Sequence, residues 1–223
     1  MTKRSDIVDG IQASNLKYGL VYTKKCGWVD LGHANPVGGA SELWDQIKNE
    51  KGDLPAKAGK AAKAGYYRIH YSQGFGKPYF KIKFGKTFDI KKGLNIEEKK
   101  SVALAIFLDI SEHFETIQGN WFWGKLTDSS FSAEDLVSNL IGFYRAIEPE
   151  KPFLQICEPV SKKEALRIWD TYGAVGSNKN YRTTPYIYPL DESKNHGPMS
   201  SSLPPAFNTI QPAKPGTLFY QVK

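Results

Sequence analysis

Cysteine is scarce in this chain: Cys26 and Cys157 are the only two in 223 residues, and they lie far apart. That excludes a disulfide framework, and no Cys-x-x-Cys metal spacing is present. The two could form one bridge or stay as free thiols. Long apolar runs are lacking as well. The longest, Val102 to Leu108, falls well short of the roughly 20 residues a membrane-spanning helix needs. The opening residues, MTKRSDIVDG, have no apolar stretch of the kind that makes a secretory signal. The sequence therefore predicts a soluble chain made in the cytoplasm, with no membrane span. Work in another compartment, such as a target periplasm, would then require delivery by a specialised secretion system. No internal repeat is apparent. The tract Leu54 to Gly65 (LPAKAGKAAKAG) has no bulky apolar residue after Leu54 and reads as an exposed loop or a frayed helix.

What is present suits a globular protein with a real core: 40% hydrophobic and 24% charged residues, with an aromatic share of 13%. The formal charge of +7 fits an anionic partner, whether nucleic acid, a cell surface or a wall polymer. Charge alone does not choose among these.

Hydrophobic patterning predicts a single α+β domain over residues 1–223, with its core in about 18–172 and an irregular C-terminal extension over 173–223. Tyr18 to Thr23 and Gly27 to Leu31 read as short strands, and Ser41 to Lys51 as a helix with Ser41 as N-cap and Trp44 and Ile47 on one face. From Tyr66 to Ile90 apolar and polar residues alternate; Phe80, Ile82 and Phe84 share one face of YFKIKF. Gly74, Gly76 and Gly85 are placed at turns, giving a three-stranded antiparallel β-meander packed on helices. Asn95 with Glu98 forms a capping box that starts a long, buried central helix ending at Gly119. Ser132 and Ser161 start two further helices, to about Ile147 and about Tyr172, before a last apolar stretch from Leu218 to Val222.

Three clusters could carry chemistry. In the central helix, Val102, Ile106, Ile110, Phe114 and Ile117 form an apolar stripe, and Asp109, Glu112 and Thr116 lie opposite with Glu115 at the edge. Glu112 and Glu115 are surface neighbours that raise each other's proton affinity, so one could serve as a general acid. The alternative is a solvated face of a core-packed helix. His113, near the apolar stripe, reads as a satisfied core histidine. The second cluster is Gly27 to His33, where Asp30 and His33 stand at a strand-to-loop edge. There His33 could be a base oriented by a carboxylate or a metal ligand, or Asp30 could merely cap a turn. Nothing places Cys26 where its thiolate would be favoured. The third is Ser130 to Gly142, in which Asn139 falls on the stripe of Leu136, Leu140 and Phe143 and could orient a catalytic carboxylate. Two weaker patterns are set aside: Gln73 to Phe80 contains Pro78 inside an RNA-recognition-like strand, and Gly74-x-Gly76 has no following helix to form a phosphate loop.

Together these clusters resemble an uncharacterised bacterial family known only as a domain of unknown function. The matching residues are Tyr22-Thr23, Val29-Asp30-Leu31-Gly32-His33, Phe114-Glu115 and Ser130 through Gly142, over roughly residues 18 to 147. Lys24 stands where that family has a cysteine, and Phe114 where it has a histidine. The resemblance implies a site at Asp30, His33 and Glu115 but names no reaction.

The leading expectation is a hydrolase acting on a bacterial cell-envelope polymer, peptidoglycan above all, by carboxylate acid/base catalysis without a cofactor. Glu115 would be the acid, with Glu112, Asp30 or His33 as base or orienter; Trp121, Trp123 and Asn139 would contact substrate. A basic protein of this kind fits a secreted antibacterial effector, a toxin matched by a cognate immunity protein. The first alternative is a zinc hydrolase with His33 and Glu115 as ligands. The second is a non-catalytic module that binds an anionic glycan or nucleic acid through Lys81, Lys83, Lys86, Lys91 and Lys92.

Overall fold

Two adjacent antiparallel strands, β1 (Leu20–Thr23) and β2 (Gly27–Asp30), begin the regular structure and pair from Leu20↔Asp30 to Thr23↔Gly27. The computed structural model describes residues 2–37, 39–52, 62–77, 80–120, 134–175, 183–190 and 197–222, without the side chains of 75–77, 80–83, 112 and 114–120. Among the described residues, five α-helices follow or separate the strands: α1 (Gly39–Lys48), α2 (Ile96–Asn120), α3 (Asp135–Ile147), α4 (Phe153–Ile156) and α5 (Lys162–Tyr172). With the further strands β3 (Tyr66–Lys77), β4 (Phe80–Lys91), β5 (Tyr186–Ile187), β6 (Met199–Ser200) and β7 (Phe219–Gln221), the class is α+β with antiparallel sheets. The chain divides into two compact units, residues 1–35 with 115–209, and residues 36–114 with 210–223.

In the first unit the β1–β2 hairpin is the centre of a core of Ile7, Leu20, Tyr22, Trp28, Val160, Ala165, Ile168, Val175 and Tyr188. Tyr22 is fully buried, and its phenol is satisfied from both sides. Its O–H donates to the Tyr188 carbonyl at 3.0 Å and accepts from the Tyr188 N–H at 2.7 Å. Burial drives its pKa far above the ordinary phenol value, so it stays neutral. A second apolar group joins Tyr144 of α3 to Phe153 of α4 and to Phe207, so the expected C-terminal wrap supplies core residues. Ser161 caps α5, its Oγ accepting from the Glu164 N–H at 3.3 Å as its sequence position predicts.

The second unit is a three-stranded sheet in the order β3-β4-β7, with α1 and the buried part of α2. The expected three-stranded antiparallel meander packed on helices is present, and its strands run differently from the expectation in two respects. β3 and β4 are long and pair continuously from Tyr66↔Lys91 to Lys77↔Phe80, and the third strand comes from the C-terminus, pairing Phe88↔Gln221. Gly74, Gly76 and Gly85 therefore lie within strands and not at turns. Gly85 has a packing reason: a Cβ there would stand 2.6 Å from the Ser72 Cβ and 2.8 Å from the Tyr71 carbonyl oxygen.

Helix starts show where local chemistry was decisive. Asn95 Oδ1 accepts from the N–H groups of Glu97 and Glu98 at 3.0 Å, while the Asn95 N–H donates to Glu98 Oε2 at 2.9 Å. The helix runs one residue beyond the expected stop at Gly119. Ser41 is not an N-cap: α1 has begun by Gly39, and the Ser41 hydroxyl turns back to the Pro36 carbonyl. Leu43, Trp44 and Ile47 do form the buried face of α1. Most of the Leu54–Gly65 tract and the Ser132 cap position lie outside the described residues.

Candidate functional site

The polar end of α2, where described, is tied up locally. Val102, Ile106 and Ile110 are buried as the stripe requires. Asp109 takes the Lys86 ammonium at 2.9 and 3.0 Å, so Lys86 is held by its own unit and is not a free cation for a polymer. His113 departs from the expected core role. Its side chain is exposed, stacks on Phe84 with ring centres 5.7 Å apart, and places Nδ1 2.7 Å from the Asp109 carbonyl oxygen. Ser111 is buried and hydrogen-bonds Gln73. Glu112 and Glu115 are on this helix, but their side chains lie outside the described residues, as do Trp121 and Trp123 and the side chains of Lys81 and Lys83.

A different group of residues comes together in the first unit. β2 ends at Asp30, whose Oδ1 accepts from the N–H groups of Gly32 at 2.6 Å and His33 at 3.3 Å; the Ala34 N–H closes on the Asp30 carbonyl at 2.8 Å. Asp30 thus caps the turn that carries His33, an Asx-type arrangement. One face of α3 receives this turn. Residues 135, 138, 142 and 145 recur at helical spacing, and each makes a separate contact with it. Ser138 Oγ accepts from the Asp30 N–H at 2.9 Å, and Arg145 Nη1 donates to the Ala34 carbonyl at 2.7 Å. Asp135 Oδ1 stands 3.5 Å from His33 Nδ1. Gly142 leaves room for the approach, since a Cβ there would stand 2.6 Å from the His33 carbonyl oxygen. Gly142→Ala is expected to push the turn off α3 at a cost of about 1–3 kcal/mol, read as a lowered denaturant midpoint. An unchanged midpoint would show that the contact is not tight.

Glu134, just ahead of α3, is the unusual group here. It is 2% exposed. Oε1 accepts from Thr2 Oγ1 at 3.1 Å, while Oε2 is buried and has no hydrogen-bond partner among the described residues. Burial is the largest cause holding its pKa above the ordinary glutamate value, and the negative charge of Asp30 pushes the same way. Its own backbone N–H, the Thr2 bond and His33 pull it down less strongly. A bare carboxylate oxygen is costly to bury, whereas a protonated carboxyl is far less so. The arrangement thus favours the protonated form of Glu134, with the charge of Asp30 acting the same way and the solvent-facing His33 against it.

No family model, curated protein or solved structure matches this chain.

Of the residues expected from the sequence, Asp30 and His33 share one turn, and Asn139 is half-buried on α3 next to Ser138. Sequence reasoning misses Glu134 and Asp135 as candidate acids because, within the Ser130–Gly142 cluster, it takes Ser132 to Asp135 as a helix start and singles out only Asn139. Glu134 does occupy the N-cap position but makes no side-chain cap bond. The available signal was two adjacent acids at the head of a strongly apolar helix. Among the described residues no group of three or more His, Cys, Asp or Glu side chains is arranged to hold a metal ion. The Glu115 ligand of the zinc alternative lies outside those residues. Among them, too, no helix is long and apolar enough to cross a membrane.

Proposed function

We propose that this chain is a hydrolase of a bacterial cell-envelope polymer, peptidoglycan first, cleaving glycosidic bonds by carboxylate acid/base catalysis. One observation carries the reading: a buried glutamate with a raised proton affinity, one oxygen of which has no partner among the described residues, feels the charges of an aspartate and a histidine that reach the surface. Glu134 takes the general-acid role that the sequence assigned to Glu115; because it is buried beneath Thr2, it protonates the departing glycosidic oxygen only when the Thr2 contact opens. The hydrogen bonds that Asp30 accepts go to Oδ1, so its other oxygen serves as base toward the attacking water. Asp135 orients the His33 ring, which hydrogen-bonds the sugar next to the scissile bond. The +7 charge draws the protein to an acidic wall polymer. Delivery into a rival's periplasm as an antibacterial effector, with a matching immunity protein in the producer, belongs to the same proposal.

Digestion of purified peptidoglycan followed by mass spectrometry of the soluble fragments tests it. New reducing ends are the expected product. New peptide termini would make the enzyme an amidase, and the absence of any soluble fragment would overturn the hydrolase reading. Parallel digests with Glu134→Gln and Glu115→Gln identify the acid: the first is expected to be inactive and the second to retain turnover.

A further inference from the structure

The two cysteines, 131 residues apart in sequence, meet in the first unit. Cys26 closes the β1–β2 turn and Cys157 follows α4; both are buried, and their sulfur atoms are in hydrogen-bonding contact at 2.9 Å. The backbone on either side is already joined. The Lys24 N–H donates to the Glu158 carbonyl at 2.9 Å, the Lys25 N–H to the Cys157 carbonyl at 3.1 Å, and the Val160 N–H to the Tyr22 carbonyl at 3.0 Å. Lys25 and Glu158 form an ion pair across the same seam at 2.7 Å. The chain on either side of the two sulfurs is therefore already held together, and this placement does not depend on the proposed function.

We propose that Cys26 and Cys157 are an oxidisable pair that closes to a disulfide by exchange with a small dithio oxidant of the oxidised-glutathione class. The thiolate of one cysteine attacks the oxidant, forming a mixed disulfide and releasing one thiolate. The second cysteine gives up its proton to that thiolate and attacks the protein-bound sulfur. The second half of the oxidant leaves as a thiolate and takes up the proton that the first cysteine had released, so the oxidant gains the two electrons the protein loses. Burial sets the timing. Neither sulfur of the folded chain is open to a bulky disulfide, so exchange occurs while the chain folds or when the Lys24–Cys26 turn opens. Once made, the bond is shielded from reductants in the same way. The protein thus keeps a record of the redox compartment in which it folded, a property that suits a chain working in an oxidising space.

The test is to refold the denatured protein with oxidised and reduced glutathione, or with reductant alone, and then alkylate both samples under denaturing conditions. The oxidised sample should carry no alkyl group, weigh two hydrogens less, and melt higher by roughly 5–10 °C, as expected for closure of a long loop. A Cys26→Ser/Cys157→Ser variant should melt at one temperature in both buffers. Two alkyl groups after oxidative refolding, a glutathione adduct as the end product, or equal melting of the two wild-type samples would each overturn the proposal.

Discussion

Glu134→Gln is expected to lower turnover by about 10²–10⁴-fold and at the same time to raise stability at neutral pH. The two effects share one cause. Glutamine keeps an oxygen for the Thr2 hydroxyl, and it fits where the carboxyl sat, but it has no proton to give. For stability the sign follows from the raised pKa. A glutamate whose folded-state pKa lies above its unfolded value binds its proton more tightly when folded. It therefore destabilises the fold progressively as pH rises past the ordinary glutamate value, and fully above the raised one. The variant escapes that cost. It should melt above wild type at neutral pH and level with it in acid. A variant that loses both activity and stability at neutral pH would place Glu134 among structural acids instead.

Asp89→Ala should be the most damaging single change in the second unit, costing about 3 kcal/mol. Arg68 and Asp89 are direct cross-strand partners on β3 and β4. The guanidinium grips the carboxylate twice, Nε to Oδ1 at 2.6 Å and Nη2 to Oδ2 at 2.8 Å, with both side chains only about a tenth exposed. Removing the acid leaves a guanidinium with little access to water, whereas replacing both partners by apolar residues removes the unpaired charge. Urea unfolding of Asp89→Ala and of an Arg68→Met/Asp89→Leu double variant should show the double as the milder of the two. The Arg68 bond holds the Asp89 pKa below the usual carboxylate value, so this pair's stabilisation is present above that value and lost as pH falls through the lowered one. Its slope is opposite to that of Glu134. One group loses stability as pH rises and the other as it falls.

Features written in adjacent residues were legible in the sequence. The Asn95–Glu98 box, the Ser161 cap and the β1–β2 hairpin each need only a few neighbouring residues to decide them. What depended on distant partners was not. Gly85 looks like a turn residue until Ser72 is seen packed against it, and the third strand of its sheet comes from Phe219–Gln221. The site shows the same division. Asp30 and His33 stood out because their motif is local, and Gly142 was marked by its segment without a reason, which turns out to be the His33 carbonyl. Glu134 stayed hidden because its character comes from burial, from Thr2 at the other end of the chain and from the charge on Asp30. No spacing rule reports those.

Whether Glu134 holds a proton where ordinary glutamates have lost theirs can be measured without any substrate. Infrared difference spectra of wild type against Glu134→Gln, taken across a pH series, isolate the carboxyl stretch of this one residue. A protonated band that persists above the usual glutamate pKa of about 4.3 is the predicted result. A carboxylate signal already complete by about pH 5 would contradict a buried proton donor at this site.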